Sequence, residues 1–151
     1  MLSIGVIWNP VSDYFNEIIN EIKVRTNLLF YSVEAVTDHK SFIYDIYRDM
    51  LSIDKSKIDL KLSNLFLPNS NDIVVLIFEF DSKKVSYHPY KKKMVFTELD
   101  ELKQSIRQKY STKINNYIFD NVFHCTDDMD EYTYTLSVMR RYFDNIPYIV
   151  S

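Results

Sequence analysis

The side chains best suited to chemistry lie near the end of the chain, in the stretch NVFHCTDDMDEY at positions 121–132. An apolar run stops there at His124, and hydroxyl and carboxylate side chains follow it at Thr126, Asp127 and Asp128. A neutral imidazole is a nucleophile near physiological pH, so His124 is a candidate reacting group. The simpler alternative is a polar residue where a strand turns into a helix, with the two aspartates acting as helix caps.

The sequence argues against metal and cysteine chemistry. His39, His88 and His124 show no metal-ligand spacing, so we predict no metal site built from protein ligands. Cys125 is the single cysteine, which excludes an internal disulfide. It directly follows His124, and because consecutive strand residues point to opposite faces, a Cys-His nucleophile pair is not expected.

The scarcity of glycine limits how a phosphate group could be bound. Gly5 is the only glycine, whereas the P-loop and the dinucleotide fingerprint each need several. Those two nucleotide-binding motifs are therefore excluded. If the chain binds phosphate, side chains must do most of the holding.

Composition predicts one domain spanning residues 1–151, because 46% hydrophobic residues are enough to fill a core. The net charge of −3 argues against nucleic acid as a partner, although the lysines at 91–93 could contact a phosphate. The N-terminal apolar run has no basic leader and is interrupted by Asn9 and Pro10, and no stretch reaches transmembrane length. We therefore expect a cytoplasmic protein without a membrane partner.

The first half of the chain alternates strand and helix patterns. A short apolar strand at residues 3–8 precedes a helix for which Ser12 or Asp13 is the expected cap. The stretch 28–36 alternates between apolar and polar residues, which predicts a half-buried strand. The apolar side of that strand holds Leu29, Tyr31, Val33 and Ala35. A second helix follows, with Thr37 or Asp38 as its cap.

The second half begins with a polar segment, residues 52–72, which predicts a loop with at most one short helical turn. The nearly continuous apolar run DIVVLIFEFD at 72–81 is typical of a central strand that is covered on both faces. After it we expect a hairpin or long loop at 82–96, a helix at 97–110 capped by Thr97, and a strand at 116–124. The last element is an amphipathic helix, and the residues on its apolar face are Met129, Tyr132, Leu136, Met139 and Phe143.

This order of four strands and four helices fits two architectures. One is a doubly wound parallel sheet, and the other is an α+β sandwich of the ferredoxin-like, split β-α-β type with an antiparallel four-stranded sheet. The short first connection and the alternating second strand favour the ferredoxin-like sandwich.

The segment DNVFHCTDDMDEYTYTLSVMRRYF at 120–143 resembles the active-site segment of nucleoside diphosphate kinases. The pattern of that family reads roughly R-N-I-I-H-G-S-D-S, followed by a helix. Asn121, His124, Thr126 and Asp127 match it in register, with threonine in place of serine.

Other parts of the chain follow the order of the same family. The segment 4–22 is similar to its first strand and helix, and 72–81 is similar to its third strand. The helix DHKSFIYDIYRDM places Tyr47 at the nucleotide-contacting tyrosine of the family. The segment SIRQKY places Arg107 at a phosphate-binding arginine.

The resemblance implies a ferredoxin-like α+β fold and ping-pong phosphoryl transfer between nucleotides, assisted by Mg²⁺ that is bound through the nucleotide phosphates. It assigns the nucleophile to His124, with Asn121 and Thr126 positioning it. It assigns phosphate and nucleotide binding to Arg107 and Tyr47, together with Asn9 at the position of a family lysine. The implied partners are a nucleoside triphosphate or diphosphate and further copies of the chain in a homo-oligomer.

Three departures from the family pattern keep a second function open. Asn9 stands where the family has a lysine, Thr135 stands where it has the glutamate that orients the imidazole, and Cys125 replaces a glycine. Glu131 lies one helical turn before Thr135 and is a candidate substitute, as the lysines at 91–93 are for the missing cation. The alternatives are a catalytically impaired nucleotide-binding or assembly module, and an unrelated small α/β interaction domain.

Overall fold

The computed structural model describes residues 1–48, 55–115, 117 and 121–150. The strands in these ranges are Leu2–Ile7 (β1), Asn27–Ala35 (β2), Asp72–Glu79 (β3), Val85–His88 (β4), Lys93–Phe96 (β5) and Phe123–Cys125 (β6). The α-helices are Phe15–Arg25 (α1), His39–Tyr47 (α2), Lys55–Asn64 (α3), Thr97–Ser111 (α4) and Met129–Tyr142 (α5). A 3-10 helix, Asn9–Tyr14, joins β1 to α1.

Four strands form an antiparallel sheet in the order β2-β3-β1-β6, and β4 and β5 form a separate hairpin. Because β1 and β2 both pair with β3 and run antiparallel to it, the unit β1-α1-β2 is split by the strand between them. The ferredoxin-like α+β fold predicted from the sequence is confirmed, and the parallel sheet is excluded.

The sheet separates two apolar layers, as the alternation of strand side chains requires. Ile73, Val75 and Ile77 of β3 face the layer that contains α2, α3 and α5. Val74 and Leu76 face the opposite layer, which contains α1 and α4. All five side chains have no exposed surface, so β3 is the central, doubly covered strand that its apolar run predicted.

The segment expected to be a loop contains α3, so that prediction is wrong for residues 55–64; residues 49–54 lie outside the described ranges. Helix formation there is explained by tertiary burial, because Ile58 and Leu65 pack into the core one on each side of Lys61 at helical spacing. The hairpin expected within residues 82–96 is confirmed as β4 and β5.

Two predicted helix caps are wrong. The helix expected to start from Ser12 or Asp13 begins at Phe15 after a 3-10 turn, and α4 begins at Thr97 itself, without a side-chain cap. By contrast, Asp38 caps α2 as expected, because its carboxylate accepts a hydrogen bond from the backbone N–H of Ser41.

Strand β2 alternates as predicted, but its most apolar face is the exposed one. Leu29, Tyr31 and Val33 are 40%, 54% and 56% exposed, whereas Leu28 and Phe30 turn toward the core layers. β2 is also the edge strand of the four-stranded sheet, so its outer edge pairs with no further strand in the described part of the chain.

Gly5 allows β6 to lie close to β1. It pairs with Cys125, and a methyl group at its Cα would come within 2.9 Å of the Phe123 ring. Since Phe123 is the first residue of β6, the absence of a side chain at Gly5 lets the short strand that carries His124 pack closely against β1.

None of the described helices is both long and apolar enough to cross a bilayer.

Candidate functional site

His124 lies in the middle of β6, where it pairs with Val6 of β1. Its side chain is 8% exposed and contacts the ring of Tyr47, with the ring centroids 5.4 Å apart at an interplanar angle of 56°. Tyr47, the last residue of α2, stacks in turn on Trp8 at 6.4 Å and 22°. The buried Trp8 thus packs against the Tyr47 ring, and the Tyr47 ring packs against the imidazole.

The strand predicted at 116–124 is observed only as Phe123–Cys125; most of the remainder lies outside the described residues.

Three cations lie close enough to His124 to affect the pKa of its imidazole. Burial lowers the pKa of its imidazole from 6.5 to about 3, and the positive charges of Lys103, Arg107 and Lys61 add to this effect. Arg107 on α4 donates a hydrogen bond from Nε to the carbonyl of Phe123, at 3.0 Å, directly before the histidine. The imidazole is therefore neutral at physiological pH, which is the nucleophilic form, and its surroundings favour an anion.

Asp127 is the carboxylate counterpart of two of the lysines at the site. It accepts hydrogen bonds from Lys103, which is 3% exposed, and from Lys91 of the hairpin at 2.8 Å. Burial opposes the negative charge, but the two lysines outweigh it and hold the pKa of Asp127 well below its usual range. The aspartate therefore ties α4 and the β4-β5 hairpin to the junction of β6 and α5. Asp127 does not cap α5. The cap is Asp128, whose carboxylate accepts a hydrogen bond from the backbone N–H of Glu131.

A cleft of about 290 Å³ opens beside His124, between β6, α2 and α5. The residues that line it are Ile46, His124, Thr126, Asp128, Asp130, Glu131, Tyr134 and Thr135. Glu131, the candidate substitute for the orienting glutamate, accepts a hydrogen bond from the backbone N–H of Asp127 at 2.6 Å. Its carboxylate therefore stabilises the start of α5. Thr135 leaves open space beside the imidazole where the family pattern has a longer side chain.

Asn9 is completely buried and bonds to the loop that precedes β3. Its amide nitrogen donates to Ser70 at 2.6 Å and to the carbonyl of Asp72 at 2.9 Å, and its oxygen accepts from the backbone N–H of Leu67 at 2.8 Å. Both hydrogens and the oxygen of the amide are thus engaged in holding the loop.

The two predicted positioning residues lie on either side of His124. The hydroxyl of Thr126 accepts from the backbone N–H of Ile4 at 3.1 Å, which fixes the end of β6 against β1. The amide nitrogen of Asn121 donates to the carbonyl of Asn64 at 3.3 Å, at the end of α3. The structure therefore brings His124 and Tyr47 into direct contact and places Arg107 on the backbone carbonyl of Phe123, while Asn9, Asn121 and Thr126 bond to nearby backbone groups.

Cys125 faces the opposite layer, as the strand alternation predicted. It packs with the α1 and α4 residues of the core, and burial raises the pKa of its thiol to about 11. The thiol remains protonated at physiological pH and is not a nucleophile.

The architecture matches solved nucleoside diphosphate kinases along nearly the whole chain. The enzyme from Borrelia burgdorferi, solved as a transition-state mimic with vanadate and ADP, superposes with a TM-score of 0.60 at 9% identity, over 100% of this chain and 92% of that one. This chain has a nucleoside diphosphate kinase-like fold. The enzyme from Aquifex aeolicus gives a TM-score of 0.55 at 8% identity, over 91% of this chain and 93% of that one.

A third nucleoside diphosphate kinase, from Halobacterium salinarum and solved with CDP, gives a TM-score of 0.52 at 12% identity, over 96% of this chain and 88% of that one. No family model matches the sequence, and neither does any curated protein. The likeness is therefore one of fold, since identities near 10% carry no residue roles with them.

Two cations of this nucleoside diphosphate kinase-like chain were missed from the sequence. Lys103 falls four residues after Leu99 and three before Ile106, on the buried face of α4, so its spacing was a usable signal. Lys61 lies between Ile58 and Leu65, in the segment expected to be a loop, so it was not assigned to any face. Its ammonium lies 4.8 Å from the centre of the Tyr47 ring.

Proposed function

We propose that the protein is a nucleotide-dependent phosphotransferase in which His124 accepts the γ-phosphoryl group of a nucleoside triphosphate and passes it to a diphosphate or a related acceptor. One observation carries the proposal: a buried, neutral imidazole lies against Tyr47 among the cations Lys61, Lys103 and Arg107. The nucleoside diphosphate kinase-like fold supports it.

The proposed step needs a nucleophilic nitrogen and positive charge around the phosphoryl oxygens. A ring nitrogen of His124 forms a bond to the γ-phosphorus with its lone pair. The bond from that phosphorus to the bridging oxygen breaks, and its electron pair leaves with the nucleoside diphosphate. The reverse step, with a different diphosphate as acceptor, regenerates the neutral imidazole.

The supporting residues divide into those near the phosphoryl group and those that hold the site in shape. Arg107 supplies a guanidinium and Tyr47 a hydroxyl toward the phosphates. Asn121 and Thr126 position β6 through their backbone hydrogen bonds. Asn9, proposed from the sequence to bind phosphate, contributes in this arrangement by holding the loop before β3.

The resemblance also implies Mg²⁺. Within the described ranges, no group of three or more histidine, cysteine, aspartate or glutamate side chains is placed to hold a metal ion. In the proposed reaction the ion is carried by the nucleotide phosphates, which is how magnesium usually enters phosphoryl-transfer sites. When bound, the ion neutralises phosphate charge during transfer.

The test is labelling with γ-labelled ATP and Mg²⁺. We expect acid-labile, base-stable label on the parent protein and on His88→Ala, which changes a histidine of the hairpin. His124→Ala should carry none. Label of equal strength on His124→Ala contradicts the proposal.

The second candidate is a catalytically impaired module that binds nucleotide or assembles with copies of itself. The missing lysine and glutamate at Asn9 and Thr135 favour it, and so does the exposed apolar face of edge strand β2. Calorimetry with nucleotide and Mg²⁺ separates the two functions, because the module binds nucleotide without turnover.

Light scattering of the parent and of Val33→Lys tests the homo-oligomer, which should dissociate on the substitution.

The nucleotide partners follow from the proposed activity. The cytoplasmic location and the absence of a nucleic-acid partner remain predictions from the sequence.

A further inference from the structure

We propose that the cleft beside His124 binds the phosphoryl acceptor, and that this acceptor is a small hydroxyl compound that carries a protonated amine. The inference rests on the proposed phosphotransfer at His124 and names a substrate class for its second half. A nucleoside diphosphate can still take the phosphoryl group back by the reverse of the first step, in the place that the donor left. The cleft adds a second route, to an acceptor of different charge.

Carboxylates form one wall of this cleft. The polar side chains that line it beside His124 include Asp128, Asp130 and Glu131 at the start of α5, and the hydroxyl groups of Thr126 and Thr135. Among the described residues that line the cleft, none is a lysine or an arginine. A cleft lined by charges of one sign attracts a ligand of the opposite sign and repels one of the same sign. The wall therefore favours an ammonium group over a phosphate or a carboxylate.

His124 is the second feature of the cleft that points to a ligand. Its side chain is 8% exposed and lines the cleft, and within the described part of the chain no group donates or accepts a hydrogen bond at its imidazole. Buried polar side chains usually have a hydrogen-bond partner. A hydroxyl group bound in the cleft supplies one, and its oxygen then lies beside the ring that carries the phosphoryl group.

The size of the cleft fits a small acceptor. Its volume is about 290 Å³. This lies near the lower end of the range for small-molecule pockets, which is about 300 to 1,000 Å³. The hydroxyl and carboxylate groups of its wall can hydrogen-bond to the hydroxyl and amine groups of one short, polar molecule.

Glu131 is placed to take the proton that a hydroxyl acceptor loses. Its carboxylate accepts a hydrogen bond from the backbone N–H of Asp127 at 2.6 Å, which holds the side chain in the cleft wall. Burial raises the pKa of Glu131, and the charges of Asp127 and Asp128 also raise it. The hydrogen bond from Asp127 and the charge of Lys93 oppose this rise without cancelling it. A carboxylate with a raised pKa is a stronger base than an exposed one.

The transfer to a hydroxyl group needs no further reactant. The acceptor oxygen forms a bond to the phosphorus of the phosphohistidine, and the phosphorus–nitrogen bond breaks with its electron pair returning to the imidazole. The hydroxyl proton passes to Glu131, which then releases it to water. The terminal phosphate of a diphosphate is largely ionised near neutral pH, so its attacking oxygen has no such proton to lose. Only the hydroxyl route therefore uses a carboxylate base.

The experiment offers the labelled protein acceptors of nearly equal size and different charge. Protein labelled with γ-labelled ATP and Mg²⁺ is freed of nucleotide and mixed with 3-amino-1,2-propanediol, glycerol or glycerate, which are cationic, neutral and anionic near neutral pH. ADP serves as the diphosphate acceptor. The transfer rates are measured at low and high salt, because salt screens an effect of charge but not one of shape.

Three variants separate the charge of the wall from its base. Asp128 and Glu131 each accept a backbone hydrogen bond, so the exposed Asp130 is the better position at which to remove a charge, as Asp130→Asn. The matched control is Asp144→Asn, which removes an exposed carboxylate just beyond the other end of α5. Glu131→Gln keeps an oxygen that can accept from the backbone but cannot take a proton.

We expect the parent and Asp144→Asn to transfer label to the amino alcohol about tenfold faster than to glycerol, and more slowly still to glycerate, by the usual worth of one charged contact. This preference should shrink at high salt, and it should fall several-fold in Asp130→Asn. In Glu131→Gln, transfer to the hydroxyl compounds should fall about a hundredfold relative to transfer to ADP, as for loss of a general base.

A labelled parent that transfers to the three compounds at equal rates, or to none of them, overturns this inference and leaves phosphotransfer at His124 intact. So does an Asp130→Asn variant that keeps the parent's preference but needs more Mg²⁺ for labelling, since the carboxylates would then hold a metal ion. Absence of label on the parent overturns the proposed function, and the acceptor class with it.

Discussion

The rings of Tyr47 and His124 contact each other at a centroid distance of 5.4 Å, and Tyr47 also stacks on the fully buried Trp8. The three side chains come from α2, from β6 and from the residue that follows β1, so three parts of the sandwich orient one imidazole. For the proposed nucleophile this means that little freedom would be lost when a phosphate binds, which is the usual advantage of a preorganised site.

The lowered pKa of His124 predicts a histidine that does not titrate in the physiological range. Burial and three nearby cations place its pKa at about 3, so the imidazole stays neutral from pH 5 to 8. An ordinary histidine would be protonated to about 97% at pH 5. NMR titration, with the signal assigned through His124→Gln, checks this, and an inflection near pH 6.5 would contradict it.

Restoring the family lysine with Asn9→Lys should destabilise the protein rather than activate it. The substitution removes the acceptor of the Leu67 N–H and the donor to Ser70 and places a charge in a fully buried site. We expect a loss of about 3 kcal/mol in the free energy of unfolding and no gain in labelling rate. Urea denaturation measures the loss, with the exposed Asn145→Lys as control. A stable, faster Asn9→Lys would show that the loop does not need the amide.

Thr135→Glu should place a carboxylate at the position where the family pattern has its orienting glutamate. Thr135 lines the cleft of about 290 Å³ beside His124, so a longer side chain has space there. We expect the carboxylate to raise the pKa of the imidazole and to increase the labelling rate several-fold. Thr133→Glu, on an exposed face of the same helix, is the control and should leave both unchanged. An unaltered pKa and rate in Thr135→Glu would show that its carboxylate does not reach His124.

Asp127→Ala should destabilise the fold strongly, because it leaves the buried ammonium of Lys103 without its carboxylate. Breaking a buried ion pair from one side costs about 3 to 5 kcal/mol. The double variant Asp127→Ala with Lys103→Met should recover part of that loss, whereas Asp144→Ala on the surface should have little effect. A double-mutant cycle in urea gives the coupling, and additive losses would mean that the two side chains are not paired.

The sequence was sufficient for the fold class because hydrophobic periodicity records burial directly. The run at 72–81 predicted the central strand, and Met129, Tyr132, Leu136 and Met139 predicted the buried face of α5. It was insufficient for α3, whose helix depends on a few core contacts from Ile58 and Leu65 in a polar segment. It also could not identify the exposed face of β2, because alternation alone does not say which side meets the core.

The candidate site was predictable where one residue carries the chemistry and less so where partners come from distant elements. His124 was proposed from its own segment, and that role stays a prediction; the structure places the Tyr47 ring against its imidazole and Arg107 on the carbonyl of Phe123. Lys61 and Lys103 were not recognised, because a buried lysine has the same sequence pattern as a solvated one until the fold brings its partner close. For Asn9 the sequence suggested a phosphate contact, whereas its side chain makes three hydrogen bonds to the loop before β3. Hydrogen bonds to a segment that is distant along the chain produce no local sequence pattern.

The most direct measurement is tandem mass spectrometry of the protein after brief incubation with ATP and Mg²⁺, with peptides prepared under alkaline conditions that preserve phosphohistidine. The account predicts a phosphoryl group on His124 that disappears when a nucleoside diphosphate is added. A fully mapped, folded protein with no phosphoryl group on His124 would contradict the central claim that this imidazole is the nucleophile.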